Sequence, residues 1–489
     1  MIGITLILLA LQTQPVRAWR QAHEHAILRE FIDLLSLPNV AANLSDMRRN
    51  ATHIQGLFEK RGVKTRLLEA PGSPPAIYGE LPAPGSKQTV IFYVHYDGQP
   101  VEPEKWTMTG KNPFRPTLRS ATAEVPFTPE TKLDPEWRLY ARSAGDDKAP
   151  IIALLAALDA LRAANLAPRA NIKFLLDGEE EAGSPHLGQI VEANKELLNG
   201  DFWLFCDGPV HQTRRPLIAF GARGSTGFHI TVYGPNHELH SGHYGNWAPN
   251  PAFMLAQLLA SMKDTDGRVL IKDFYKGVEP FSDTEKKAVA AMPNVDAQLM
   301  DEFGLARTEK VGSRLEEAIQ MPSLNIRGLS SGAVGAGSRN VIPSEATASL
   351  DIRVVKGIDY RVAVERVKEH IRSQGYYVTD RDPDDAMRRR YPRIAKVTVR
   401  DGDNSVRTSM DLEVSQLVIR AVEAARGPVI KAPLLGGTLP LQVFEEVLHR
   451  PVIVVPIANH DDNQHSHNEN IRLQNLWDGI ETMAALLSI

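Results

Sequence analysis

The stretch "NIKFLLDGEEEAGSP", residues 171–185, runs an apolar segment directly into three consecutive glutamates, Glu179–Glu181. A strand this apolar is buried on both faces, which is the habit of a parallel sheet covered by helices. Three further segments repeat the pattern: "QTVIFYVHYDGQP" ends on His95 and Asp97, "DFWLFCDGP" on Asp207, and "RPVIVVPIANHDDNQHSH" on the histidines from His460 to His467. Helical stretches such as "APIIALLAALDALRAANL" (149–166) alternate with them. The chain therefore reads as an α/β protein with a mostly parallel sheet and helices on both faces. Ligands of such sheets bind beyond the carboxyl ends of the strands, where all these acids and histidines fall.

The middle of the chain has a different order. "FHITVYG", "NPAFMLAQLLASMK", "PSLNIRGL", "ATASLDIRVV", "DYRVAVERVKEHIRSQ" and "RIAKVTVR" follow one another as β-α-β-β-α-β, the order of a ferredoxin-like α+β sandwich. A polar, helix-prone insert at about 264–320 interrupts it. The expected organisation is a domain of residues 19–215, an inserted domain of 216–407, and a return to the first domain over 408–489.

With 489 residues, 43% of them hydrophobic, and a formal net charge of -4, the chain can bury a large core and carries no broad basic surface. No nucleic-acid partner is expected, and "RRRY" at 388–391 reads as a solvated surface turn. The opening run "ITLILLALQ" has the length of a signal-peptide core, too short to span a bilayer, and "VRA" precedes Trp19 like a cleavage site. This reading places residues 1–18 in a signal peptide and the mature chain in the periplasm or medium, free of the membrane; an uncleaved chain would be cytoplasmic. Cys206 is the only cysteine, so no intrachain disulfide can form.

Each cluster alone has an ordinary explanation. His95 and Asp97 lie two apart on a strand and share a face; Asp146 and Asp147 of "RSAGDDKAP" stand where helix N-caps stand; the glutamates could form a solvated turn. Together they bring like charges to one sheet edge, which costs several kcal/mol unless a cation neutralises them. A divalent metal cluster with mixed imidazole and carboxylate ligands suits zinc, with manganese or cobalt as alternatives.

From about residue 20 to its end the sequence resembles the dinuclear zinc exopeptidases and deacylases, the family of aminoacylase, glutamate carboxypeptidase and the carnosine-type dipeptidases. The resemblance rests on "VHYDGQP", "RSAGDDKAP", "EEAGSP" and "QHSHNE", and "HYDGQPVEPEKW" and "DDKAP" look nearest to the carnosine-dipeptidase branch. It implies two metal ions per subunit, bridged by Asp146, with His95 and Asp207 completing one site and Glu181 and His465 the other. Asp97 would orient His95, Glu180 would be the general base, and Glu179 a solvated neighbour. The inserted domain would be a lid that also forms a homodimer, its His240 in "ELHSGHYGN" reaching the neighbouring subunit's site. Asn340 of "SRNVIP" and Arg353 of "LDIR" would hold the substrate carboxylate, and Gly437 and Thr438 of "LGGTLPL" would line the substrate loop.

The activity so implied is metal-dependent hydrolysis of an amide bond next to a free carboxylate, that of a dipeptidase or a carboxypeptidase. An N-acyl-amino-acid deacylase would use the same metals and base. A binding module that has lost catalysis has no use for Glu180 beside a ligand, and a closed structural metal site has no use for a bridging carboxylate.

Overall fold

The computed structural model describes the backbone of residues 2–489 and the side chains of residues 13–489. Its largest sheet has eight strands, in the order Lys64–Leu68, Ala76–Leu81, Asn171–Asp177, Thr89–His95, Phe202–Phe205, Val452–Val454, Leu217–Ala219 and Ile430–Ala432. Thr89–His95 runs parallel to both of its neighbours, and Val452–Val454 continues parallel beyond Phe202–Phe205. The two strands at the first edge are antiparallel.

Alternation along Thr89–His95 shows why the run is apolar throughout. Val90, Phe92 and Val94 join one hydrophobic cluster with the helices Lys148–Ala163 and Leu473–Leu487, while Ile91 and Tyr93 join another with Ile190 and Phe444. Successive side chains point to opposite faces, so a strand covered on both must be apolar at every position.

Residues 224–399 hold a separate five-stranded sheet, ordered Ser323–Ser330, Glu345–Val354, Gly224–Tyr233, Ile394–Val399 and Tyr377–Thr379. The helices Pro251–Ala260 and Tyr360–Ser373 bury their apolar residues against one face of it. Between Pro251–Ala260 and the strand Ser323–Ser330 come three short helices, Asp283–Ala291, Asp296–Phe303 and Leu315–Ala318. The "RRRY" run is not the turn that its composition suggests. Arg388–Arg390 end a helix, Asp385–Arg390, capped by Asp384, and Arg388 donates to the Gly234 carbonyl at 3.0 Å.

At the N-terminus a helix spans Ile2–Leu35, and most of the run read as a signal peptide lies outside the residues with described side chains. The expected cleavage point after Ala18 falls within this helix, where Arg17 donates twice to Glu481, at 2.7 and 3.0 Å. Among the described residues no helix is long and apolar enough to cross a membrane.

Candidate dimetal active site

Strand register sets the site. His95 pairs with Asp177 across the parallel ladder and Tyr93 with Phe205, so His95, the Glu179–Glu181 turn and Asp207 leave the sheet at one edge. The loop before Lys148–Ala163 brings Asp146 to the same place, and the segment after Val452–Val454 brings His465.

Two ligand groups result. His95, Asp146 and Asp207 each offer an atom within 4.8 Å of the others, and so do Asp146, Glu181 and His465. His95 Nε2 lies 2.8 Å from Asp146 Oδ1 and 3.7 Å from Asp207 Oδ2. His465 Nε2 lies 3.2 Å from Asp146 Oδ2 and 3.1 Å from Glu181 Oε2. The two oxygens of Asp146 thus face different groups, as a bridging carboxylate requires. His465 reaches its place from a left-handed backbone, φ 61°, which is uncommon for a residue with a side chain.

The electrostatics of the donor set fit cations. Burial, with the Asp146 charge behind it, pushes the Asp207 carboxyl up to about 7. Burial also drives Glu180 well above the ordinary carboxylate range, with Asp207 and Glu181 adding to it and His95 opposing. Asp146 stays low despite its burial because His465 and His95 both hydrogen-bond to it. Acids so placed are relieved by positive charge held among them.

Hydrogen bonds to the backbone fix the parts. Asp97 meets His95 Nδ1 at 3.2 Å and accepts the N–H groups of Glu180 at 3.0 Å and Glu181 at 3.1 Å. Asp177 accepts from Glu179 N–H at 3.1 Å and Ser184 Oγ at 2.6 Å, pinning the same turn from below, and Gly183 closes it at φ 86°. Glu469 accepts from Arg142 Nη1 and from the N–H groups of Ser143, Gly145 and Asp146 at 2.8–3.0 Å, which holds the Asp146 loop. Asp147 stands at the N-cap of Lys148–Ala163 without a side-chain cap bond; its Oδ2 instead accepts the His95 N–H at 3.1 Å, and the Asp146–Asp147 peptide is cis.

One expectation fails. Glu179 is not solvated: it is 4% exposed, and its carboxylate meets His186 at the backbone N–H, 2.8 Å, and at Nδ1, 2.9 Å. Several residues went unread. Gln464 donates to Asp146 Oδ2 at 2.7 Å and Gln99 to Glu181 Oε2 at 2.8 Å, each within a motif already noted for its neighbour. Arg223 is the other: burial first and the nearby Arg353 second bring its guanidinium down to about 10.

A cavity of about 910 Å³ opens on the ligands, with Glu180, Arg353, Gly437 and Thr438 in its wall. Arg353 Nη1 donates to Thr438 Oγ1 at 2.7 Å, joining the five-stranded sheet to the loop after Ile430–Ala432. His240 and Asn340 line no part of this cavity. They adjoin each other on an exposed ribbon, where Ser241 N–H donates to the Asn340 carbonyl at 2.9 Å and His240 Nδ1 accepts from Gly242 N–H.

The fold and the paired ligand groups define a metal-dependent hydrolase. A sequence model described as Peptidase family M20/M25/M40 matches residues 91–489, and the chain belongs to that family. The human Beta-Ala-His dipeptidase is 28% identical, covering 84% of this chain and 76% of its own. The Cys-Gly metallodipeptidase of Schizosaccharomyces pombe is 25% identical, covering 92% and 90%. The crystal structure of an M20 family metallo-carboxypeptidase from Sulfolobus solfataricus superposes with a TM-score of 0.77 at 26% identity, covering 94% of this chain and 98% of that one.

Proposed function

We propose that this metallopeptidase hydrolyses dipeptides, with Glu180 as general base and two zinc ions held by His95, Asp146, Asp207, Glu181 and His465. The observation that carries the reading is that two ligand groups share Asp146 while Glu180 stands in the wall of the same cavity. The dipeptidase names of the relatives at 28% and 25% identity support the substrate class. Bound cations would supply Lewis acidity, lowering the pKa of a water and polarising the amide carbonyl.

The protein's own groups do the rest. Asp97 stands 3.2 Å from His95 Nδ1, placed to orient the imidazole, and fixes the backbone of Glu180. The Glu180 carboxylate takes a proton from the attacking water and returns it to the leaving nitrogen. Arg353, beside the second guanidinium of Arg223, receives the substrate carboxylate against Thr438, with Asn340 contributing from a second subunit. His240 donates to the tetrahedral oxyanion from that same subunit, since it lies exposed and away from its own chain's cavity.

A homodimer through the five-stranded sheet would supply both residues. Its edge strand Ser323–Ser330 exposes Ile326 and Leu329, at 48% and 64%, and Trp247 stands 79% exposed on the His240 side. The test is turnover of metal-loaded protein on dipeptides and on N-acyl amino acids, with and without a chelator. Cleavage of N-acyl amino acids alone, or turnover that survives complete metal removal, overturns the proposal.

A further inference from the structure

One face of the five-stranded sheet looks away from its helices and forms part of the cavity wall. Phe228, Leu350 and Ile352 pack into the cluster under the helices, so the alternate residues Gly227, Asp351 and Arg353 point the other way. Register brings these together: Gly227 lies opposite Asp351, and Ser225 opposite Arg353. From this face Ser225, Arg327 and Arg353 line the cavity.

Arg327 arrives there by an irregularity. On the edge strand Ser323–Ser330, Ile326 pairs with Leu350 and Gly328 with Ser349, which leaves Arg327 as the extra residue of a β-bulge. A bulge re-aims the side chain it carries. The Arg327 guanidinium crosses the intervening strand Glu345–Val354 and rests over Gly227, its Nη2 2.9 Å from where a β-carbon there would stand.

The neighbouring cations are already engaged. Arg353 donates to Thr438 through Nη1, and its Nε stands 3.5 Å from Asp351 Oδ2. Arg223 donates through Nε to the Gly436 carbonyl at 2.9 Å. Arg327 is exposed, and among the described residues it has no hydrogen bond and no ion pair. Two carboxylates, Asp351 and Asp403, share this face with the three guanidiniums, and burial pushes the Asp403 carboxyl up, so positive charge is left uncompensated. A lone arginine on an open surface is ordinary; in a cavity wall beside a carboxylate anchor it is a second receptor for an anion.

We propose that Arg327 makes the cavity selective for dipeptides whose C-terminal residue carries a second carboxylate in its side chain, as glutamate does. This rests on the dipeptidase reading and on Arg353 as anchor of the α-carboxylate. Arg353 leans toward Asp351 and Arg327 lies across from Asp351 at Gly227, so the two guanidiniums flank neighbouring strands, which run about 4.8 Å apart. The two carboxylates of a C-terminal glutamate are spaced on the same scale. A carboxylate meeting a free guanidinium that water still reaches is bound about five- to thirtyfold better than the amide of the same shape.

The experiment compares Ala-Glu with Ala-Gln, which match in size and differ in charge, on zinc-loaded wild type, Arg327→Gln and Arg327→Lys. The wild-type ratio of kcat/KM, glutamate over glutamine, should be about five to thirty, fall close to one in Arg327→Gln, and recover in part in Arg327→Lys, which keeps the charge and loses the fork. The change should sit mainly in KM, because the contact is made equally in ground and transition states. Thermal melting with L-glutamate against L-glutamine gives the comparison without turnover, and the excess stabilisation by glutamate should disappear in Arg327→Gln. If the wild type cleaves Ala-Gln yet the ratio is near one, or the ratio survives in Arg327→Gln, the guanidinium is a solvated surface group and the proposal is wrong. A preference that follows the N-terminal residue instead, in Glu-Ala against Gln-Ala, overturns it equally. Should no dipeptide be cleaved, the dipeptidase reading is what fails, and equal stabilisation of the wild type by the two amino acids then rejects the role of Arg327 as well.

Discussion

Asp97 Oδ1 accepts the backbone N–H of Glu180 at 3.0 Å, while Oδ2 accepts that of Glu181 at 3.1 Å. One carboxylate thus positions His95, Glu180 and Glu181 together. Asp97→Asn keeps the shape but turns an N–H toward a backbone N–H. Both metal affinity and kcat should fall, each by about ten- to a hundredfold; equilibrium dialysis against buffered zinc and steady-state kinetics measure them separately. Loss of kcat with metal affinity untouched would restrict Asp97 to the Glu180 backbone.

Asp146→Ala removes a ligand from both groups at once. Metal analysis after gel filtration should find most of both ions gone, whereas Asp207→Ala should spare one. Two tightly held ions in Asp146→Ala would refute the shared-ligand arrangement.

Glu180→Gln should retain metal and fold and lose about 10²–10⁴ in kcat, because glutamine cannot take the water's proton. Glu179→Gln is not a silent control, since Glu179 is buried against His186. It should lower stability by about 1–2 kcal/mol, read as a reduced denaturant midpoint, with a far smaller effect on turnover. Equal kinetic losses in the two variants would remove the distinction between them.

His240 can be tested by complementation. His240→Ala and Glu180→Gln homodimers should each be nearly inactive. A mixed dimer contains one site with an intact Glu180 and a His240 supplied across the interface, so reassembling the two proteins together should restore measurable activity. Demonstrated subunit exchange without recovery would place His240 outside the neighbour's site.

The sequence announced its central parallel strands because they are largely apolar and lead into an acid or histidine, as Thr89–His95 and Asn171–Asp177 do. The gathering of acids and histidines beyond the strand ends was legible for the same reason, while their pairing into two groups around Asp146 was implied only by the motifs shared with the family. Glu179 was misread because adjacency to Glu180 says nothing about which way a 3-10 turn aims each side chain, and its partner His186 lies seven residues on. Arg223 was invisible for another reason: its meaning depends on a loop, 434–438, that comes late in the chain and packs against it. The basic run at Arg388–Arg390 looked like a turn because composition carries no sign of the Asp384 cap that starts its helix.

The pairing of His95 with Asp177 has a thermodynamic consequence. A slip of one residue between these strands would move the Glu181 side by about 3.3 Å along the ladder and turn alternate side chains to the other face. The metal site would then be several ångströms out of shape, beyond what ligand bonds tolerate. Cations therefore bind the correctly aligned sheet and ignore its near neighbours, and by mass action they deepen that one minimum alone. Ions held by these groups would act as a proofreader of assembly, so folding in the presence of zinc should yield a more uniform population than folding without it.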